Sequence, residues 1–117
     1  MIAALAIAAI AATPLPGAFD AGWKGEKVCT LLYDNPLMRA ARCVFPPGGG
    51  HERHFHAAHW GYIVAGGTMR ITTATGTVDR VLATGSNWWS GGIDWHEAIN
   101  IGATTAVYII VEPKPAR

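Results

Sequence analysis

Charge is scarce in this chain, and none of it is massed. Of 117 residues, nine are Lys or Arg and eight are Asp or Glu, which leaves a net charge of +1 with the histidines neutral. The absence of any Lys/Arg block removes the electrostatic footprint of a nucleic-acid or anionic-membrane binder. Long apolar runs are missing too. The longest, residues 1–12, would measure about 18 Å as a helix, against about 30 Å of hydrocarbon in a bilayer. Past Gly17 no segment shows convincing helical periodicity, and there is no internal repeat and no linker. This length allows one domain around one core. The chain is therefore divided into an apolar N-terminal segment, 1–17, and a single domain, 18–117.

Cysteine is nearly absent, with Cys29 and Cys43 the only two. They flank a turn predicted at Asp34-Asn35-Pro36, on strands that should pair. Two readings stand: a disulfide, which favours an oxidising compartment, or two small buried hydrophobes in a reduced one. The N-terminal apolar run looks like the hydrophobic region of a secretion signal, with Ala9-Ile10-Ala11 as a cleavage site. No Lys or Arg precedes Lys24, however, so the positive leading region is missing. The location is read as cytoplasmic, with periplasmic or secreted as the alternative, and no membrane or nucleic-acid partner is expected.

What the chain has in quantity is glycine and proline, 14 and seven residues, set between short apolar runs. Such punctuation reads as strands joined by tight turns. The runs predict strands over 27–33, 38–45, 59–65, 68–73, 77–82, 87–89, 95–100 and 106–111. Pro46-Pro47-Gly48-Gly49-Gly50 forces a loop, because proline and glycine suit neither helix nor ladder. Gly66-Gly67 reads as a two-residue hairpin turn and Thr75-Gly76 as a further turn. Strands at this spacing imply an all-β sandwich or barrel.

The five histidines fall in two places: His51, His54, His56 and His59 together, and His96 alone. His54 and His56 are two residues apart, so on a strand they project from the same face with Cα atoms about 6.5 to 7 Å apart. Imidazoles at that distance converge on one ion with bonds of about 2.0 to 2.1 Å. A third ligand must come from another strand, and His96, behind Gly91-Gly92, is the candidate. Three imidazoles leave positions open to water or substrate.

Here the sequence resembles the cupin superfamily. Gly50, His54, His56 and His59, running on to Gly66, look like the first cupin motif, and Gly92, His96 and Asn100 look like the second. The resemblance covers residues 28–111 and implies a double-stranded β-helix, or jelly-roll, barrel of the single-domain (monocupin) kind. Carried over residue by residue, it implies His54, His56 and His96 as metal ligands. His59 stands where cupins usually place a glutamate, one residue earlier than usual, and is read as a fourth ligand. It points inward if the turn at Ala57-Ala58 resets the strand alternation. With no carboxylate ligand the site stays dicationic, which favours Fe, Cu, Ni or Zn over Mg or Ca.

Other site candidates are Asp94, which shares alternation with His96, and Glu52, which with His51 is read into a loop at the mouth of the site. Asp94 is a candidate for orienting His96 or binding a substrate group, and Glu52 and His51 are candidates for an acid or base role. Trp88 and Trp89 face opposite sides by alternation, so one should enter the barrel. The function implied is a metal-dependent enzyme acting on a small molecule. Histidine-only cupin sites include dioxygenases of chelating dicarbonyl, phenolic or thiol substrates. The alternatives are a lyase or isomerase that stabilises an enolate, and a non-catalytic ligand- or metal-binding cupin. If His59 points inward, Trp60, Tyr62 and Val64 form an apolar outer face that needs a cover. The protein is thus expected to be a homodimer. Light scattering at micromolar concentration checks this, and a monomer would refute it.

Overall fold

The computed structural model describes Ala3 and residues 14–115 of the chain. Apart from Ala3, the apolar run 1–12 lies outside the described residues. Pro16 and Gly17 already touch the domain: Phe55 N–H donates to the Pro16 carbonyl at 3.1 Å, and Gly17 makes a parallel bridge to Phe55. Ala18, Phe19 and Ala21 are then buried.

Alternation of side chains turns each strand into a two-faced element. In β6 (His59–Ala65) His59, Gly61 and Ile63 are buried while Trp60, Tyr62 and Val64 are exposed, a period-two pattern with one face turned to the core. This strand belongs to a five-stranded sheet with β3 (Cys29–Asp34), β4 (Met38–Phe45), β9 (Asn87–Ser90) and β11 (Ala106–Pro113), in the order β3-β4-β11-β6-β9. A four-stranded sheet holds β5 (Gly50–His56), β7 (Gly67–Thr73), β8 (Gly76–Leu82) and β10 (Ile93–Asn100), in the order β5-β10-β7-β8. β1 (Gly22–Trp23) and β2 (Glu26–Lys27) form a small ribbon. All these pairings are antiparallel. The two large sheets share one apolar core, in which Met69 and Ala98 from one meet Ala41, Phe45, Ala106 and Ile110 from the other.

Gly66-Gly67 is not a hairpin turn. β6 and β7 lie in different sheets, so the chain crosses from one to the other there. A side chain at Gly66 would put its Cβ 2.2 Å from the Leu82 carbonyl oxygen, so close backbone approach requires the glycine. The strand over Gly50–His56 takes His51 and Glu52 out of any loop. Cys29 and Cys43 face each other in the β3–β4 register and form a disulfide.

Asn100 fastens the end of β10. Its side-chain amide donates to the carbonyls of Phe45 and Thr104, both at 2.8 Å, and its oxygen accepts from Gly102 N–H at 2.9 Å. The residue is 1% exposed, so no water replaces these bonds. Its backbone is equally committed, with Asn100 N–H donating to the Gly49 carbonyl and Gly48 N–H donating to the Asn100 carbonyl. The Pro/Gly loop before β5 is thereby held against the end of β10. Asn100→Ala strands the buried partners and should lower stability by about 3 kcal/mol, given about 1–3 kcal/mol for each buried group left unpaired. Denaturant unfolding checks this, and a change within about 0.5 kcal/mol would contradict it.

Candidate metal centre

β5 and β10 pair antiparallel, and their register sets His96 directly opposite His54. The ladder is irregular between Ile93 and His96, where three steps on β10 answer two on β5. His56 lies across from Ile93 at the other side of this bulge. The result is a cluster of three donor atoms. His56 Nε2 lies 3.0 Å from His54 Nε2 and 2.9 Å from His96 Nε2.

That spacing has a chemical meaning. Two ligands at right angles on one ion, with bonds of about 2.0 to 2.1 Å, stand about 2.9 Å apart. His54 Nδ1–H donates to the Glu52 carbonyl at 2.6 Å, which fixes the tautomer and turns the Nε2 lone pair toward the other two rings. Burial, then repulsion from neighbouring histidines, pushes His56 down to about 2, His51 to about 3 and His96 to about 4. Burial lowers His54 as well, against the opposing pull of its bond to Glu52. These rings are therefore neutral at neutral pH, the form that ligates metals. A neutral, nitrogen-only donor set fits a divalent transition metal better than Mg or Ca. Among the described residues, His54, His56 and His96 form a cluster whose ligand atoms could hold a metal ion.

His59 points inward, as the reset at Ala57-Ala58 allows, but it stands outside the three converging donors. Its Nδ1–H donates to the Ala57 carbonyl at 2.8 Å, and its Nε2 accepts from the Trp88 indole N–H at 3.3 Å. The ring stacks on His56 with centroids 4.4 Å apart. His51 is the residue that sequence reasoning misplaces. It is 4% exposed, and its ring lies 3.8 Å from that of His54. Its position three residues before His54 carries no signal of this, because its burial depends on the backbone at Ala18 and Ala21, distant in sequence.

Neither carboxylate candidate faces the cluster. Glu52 is exposed, and its Oε1 accepts from Lys24 N–H at 2.9 Å. The alternation argument for Asp94 fails at the bulge, which puts Ile93 and His96 on the inner side together. Asp94 is exposed in a surface depression beside Phe55, Ala58 and the outer side of His56. The inner side opens on a cavity of about 780 Å³. His56 and His96 lie on its wall with Phe45, Ile71, Trp88 and Tyr108. Trp88 is thus the inward tryptophan, and Trp89, 62% exposed, the outward one.

Among solved structures, a cupin domain from Bordetella pertussis Tohama I matches at a TM-score of 0.70 and 25% identity, covering 89% of this chain and all of that one. The chain has the cupin fold. A double-stranded β-helix domain protein from Klebsiella pneumoniae matches this cupin at a TM-score of 0.60 and 16% identity, over 85% of this chain and 82% of that one. A Cupin 2 conserved barrel domain protein from Salinispora arenicola matches at 0.55 and 16% identity, over 93% and 88%. No protein-family model and no curated protein matches the chain. The fold and the histidine triad together fit a monocupin.

The buried neutral histidines carry a pH signature. In the protein kept free of metal the unfolded chain takes up protons near the ordinary value of 6.5, whereas the folded rings refuse them until about 4 for His96 and lower for His51 and His56. In that window the unfolded state binds more protons, so stability must fall as the pH falls. Each such histidine adds a slope of up to about 1.4 kcal/mol per pH unit. Denaturant midpoints of the metal-free protein should therefore drop steadily from about pH 6.5 to about pH 4.5. A flat profile across that range would show that these rings are not held neutral.

Proposed function

We propose that this cupin is a metal-dependent enzyme acting on a small molecule, of the dioxygenase type, with one divalent transition metal held by His54, His56 and His96. The observation that carries the reading is the convergence of the three Nε2 atoms, two of them from His56 and His96 on the wall of a cavity of about 780 Å³. That volume suits a small organic substrate. When bound, the ion supplies Lewis acidity and, for iron or copper, redox access to dioxygen.

The chain's own residues supply the rest. The Glu52 carbonyl holds the His54 tautomer. His59, fixed between the Ala57 carbonyl and the Trp88 N–H, buttresses the face of His56 and keeps it from rotating out of the cluster. Phe45, Ile71 and Trp88 give apolar walls that exclude water from the bound substrate. Among the described residues, no Asp or Glu lines the cavity. For a lyase or isomerase acting through an enolate, the proton would therefore have to be taken by one of the histidines on the wall, His51 or His59.

Metal analysis of the purified protein is the test. Iron or copper at about one ion per chain, with oxygen uptake on a panel of chelating phenols, dicarbonyls and thiols, is the expected result. Zinc, nickel or manganese without oxygen uptake would support the lyase or the binding protein instead. Loss even of a residue that orients a ligand costs about 10- to 100-fold in affinity, so His96→Ala should lower metal affinity at least about tenfold. Full occupancy in that variant would overturn the ligand set.

A further inference from the structure

Electrostatically the cavity is one-sided. Besides the histidines, Arg80 is the only ionic side chain on its wall among the described residues. Arg80 lies on β8, the edge strand of the four-stranded sheet, where alternation turns Val78, Arg80 and Leu82 toward the cavity. The neighbouring Asp79 points the other way and is taken by Arg70 through bonds of 2.9 and 3.1 Å. Arg80 joins no ion pair among the described residues. Its guanidinium thus stands at the rim with no carboxylate among them to neutralise it.

The centre at the other end has the same sign and the same lack. Three neutral imidazoles hold a dication without a carboxylate, and a charge taken out of water is costly unless it is paired. The cavity wall provides no partner, so the ligand must. Charge at both ends of an otherwise uncharged cavity, whose walls include Phe45, Ile71, Val78, Leu82 and Trp88, selects an anion with a largely apolar body.

Register gives the span. The β10–β7 ladder sets Glu97 across from Thr72, so His96 lies level with Thr73, and Thr73 is paired with Gly76 on β8. Arg80 is therefore two strands across and four residues along from His96. At strand spacings of about 4.8 Å and rises of about 3.3 Å, the two Cα atoms stand about 16 Å apart. The two side chains fill much of that distance and leave room for a ligand about one ring long.

We propose that the cavity binds a small aromatic or similarly apolar organic anion, whose chelating oxygens meet the metal centre and whose distal carboxylate pairs with Arg80. This rests on the metal reading above and adds the substrate class. Arg80 acts as a specificity-determining residue, since its fork of donors matches a carboxylate.

The test uses Co(II)-loaded protein and two probes with the same chelating end: 3,4-dihydroxybenzoate and its neutral amide, 3,4-dihydroxybenzamide. Binding is read by the Co(II) visible spectrum and by calorimetry. The carboxylate should bind at least about tenfold tighter than the amide, with the preference shrinking as salt is raised, as expected of an exposed charge. Arg80→Gln should abolish the preference and leave the amide's Kd and the Co(II) spectrum unchanged. Equal affinity for the two probes, or a preference that survives in Arg80→Gln, would overturn the anion assignment while the metal centre stands. Failure to take up Co(II) would overturn the metal reading, and with it the chelating end of this ligand.

Discussion

The ladder between β5 and β10 is the constraint on which the centre depends. His54 and His96 are far apart in sequence and have no local reason to meet. They meet because backbone hydrogen bonds fix the two strands in one register, and because the irregularity between Ile93 and His96 brings both residues to the inner face. A slip of one residue would send His96 outward and dissolve the cluster. The register is in turn secured at its far end by Asn100, whose side chain and backbone tie the Phe45–Gly49 loop to the end of β10. A buried amide at the other end of β10 thus helps to hold the register that brings the three histidines together.

The second tier of the centre is built from the opposite sheet. His59 and Trp88 come from β6 and β9, which pair so that Trp88 lies across from Gly61. Gly61 has no side chain because the Trp88 ring occupies the place: a Cβ there would sit 2.2 Å from the ring. That small residue lets the indole lie close enough to reach His59 with its N–H. The imidazole that stands in the usual glutamate position is therefore restrained by the chain rather than free to turn.

Among the described residues no acidic group lines the cavity, which is the basis for proposing an anionic ligand. Asp34 and Asp79, the carboxylates drawn below their ordinary values by cationic partners, lie in exposed ion pairs away from the cavity.

Much of this is present in the order of residues. Alternation in 59–65 predicts which side chains of β6 face in, His-x-His predicts a shared face, and the two motifs predict the cupin barrel. These are local properties, because side-chain period and turn chemistry are fixed within a few residues. Other features need the tertiary structure. Gly66-Gly67 misleads because a glycine pair is equally suited to a hairpin and to a close crossing beneath Leu82. Asp94 misleads because a bulge is a property of two strands, and it inverts the alternation expected of one strand alone. The disulfide, left open by spacing, follows from the β3–β4 register. The burial of His51 and the bond from Trp88 to His59 are contacts between segments distant in sequence. The sequence by itself determined the kind of barrel and the residues available to a metal; the pairing of β5 with β10 decided which of them converge, because only the paired strands fix where each side chain ends.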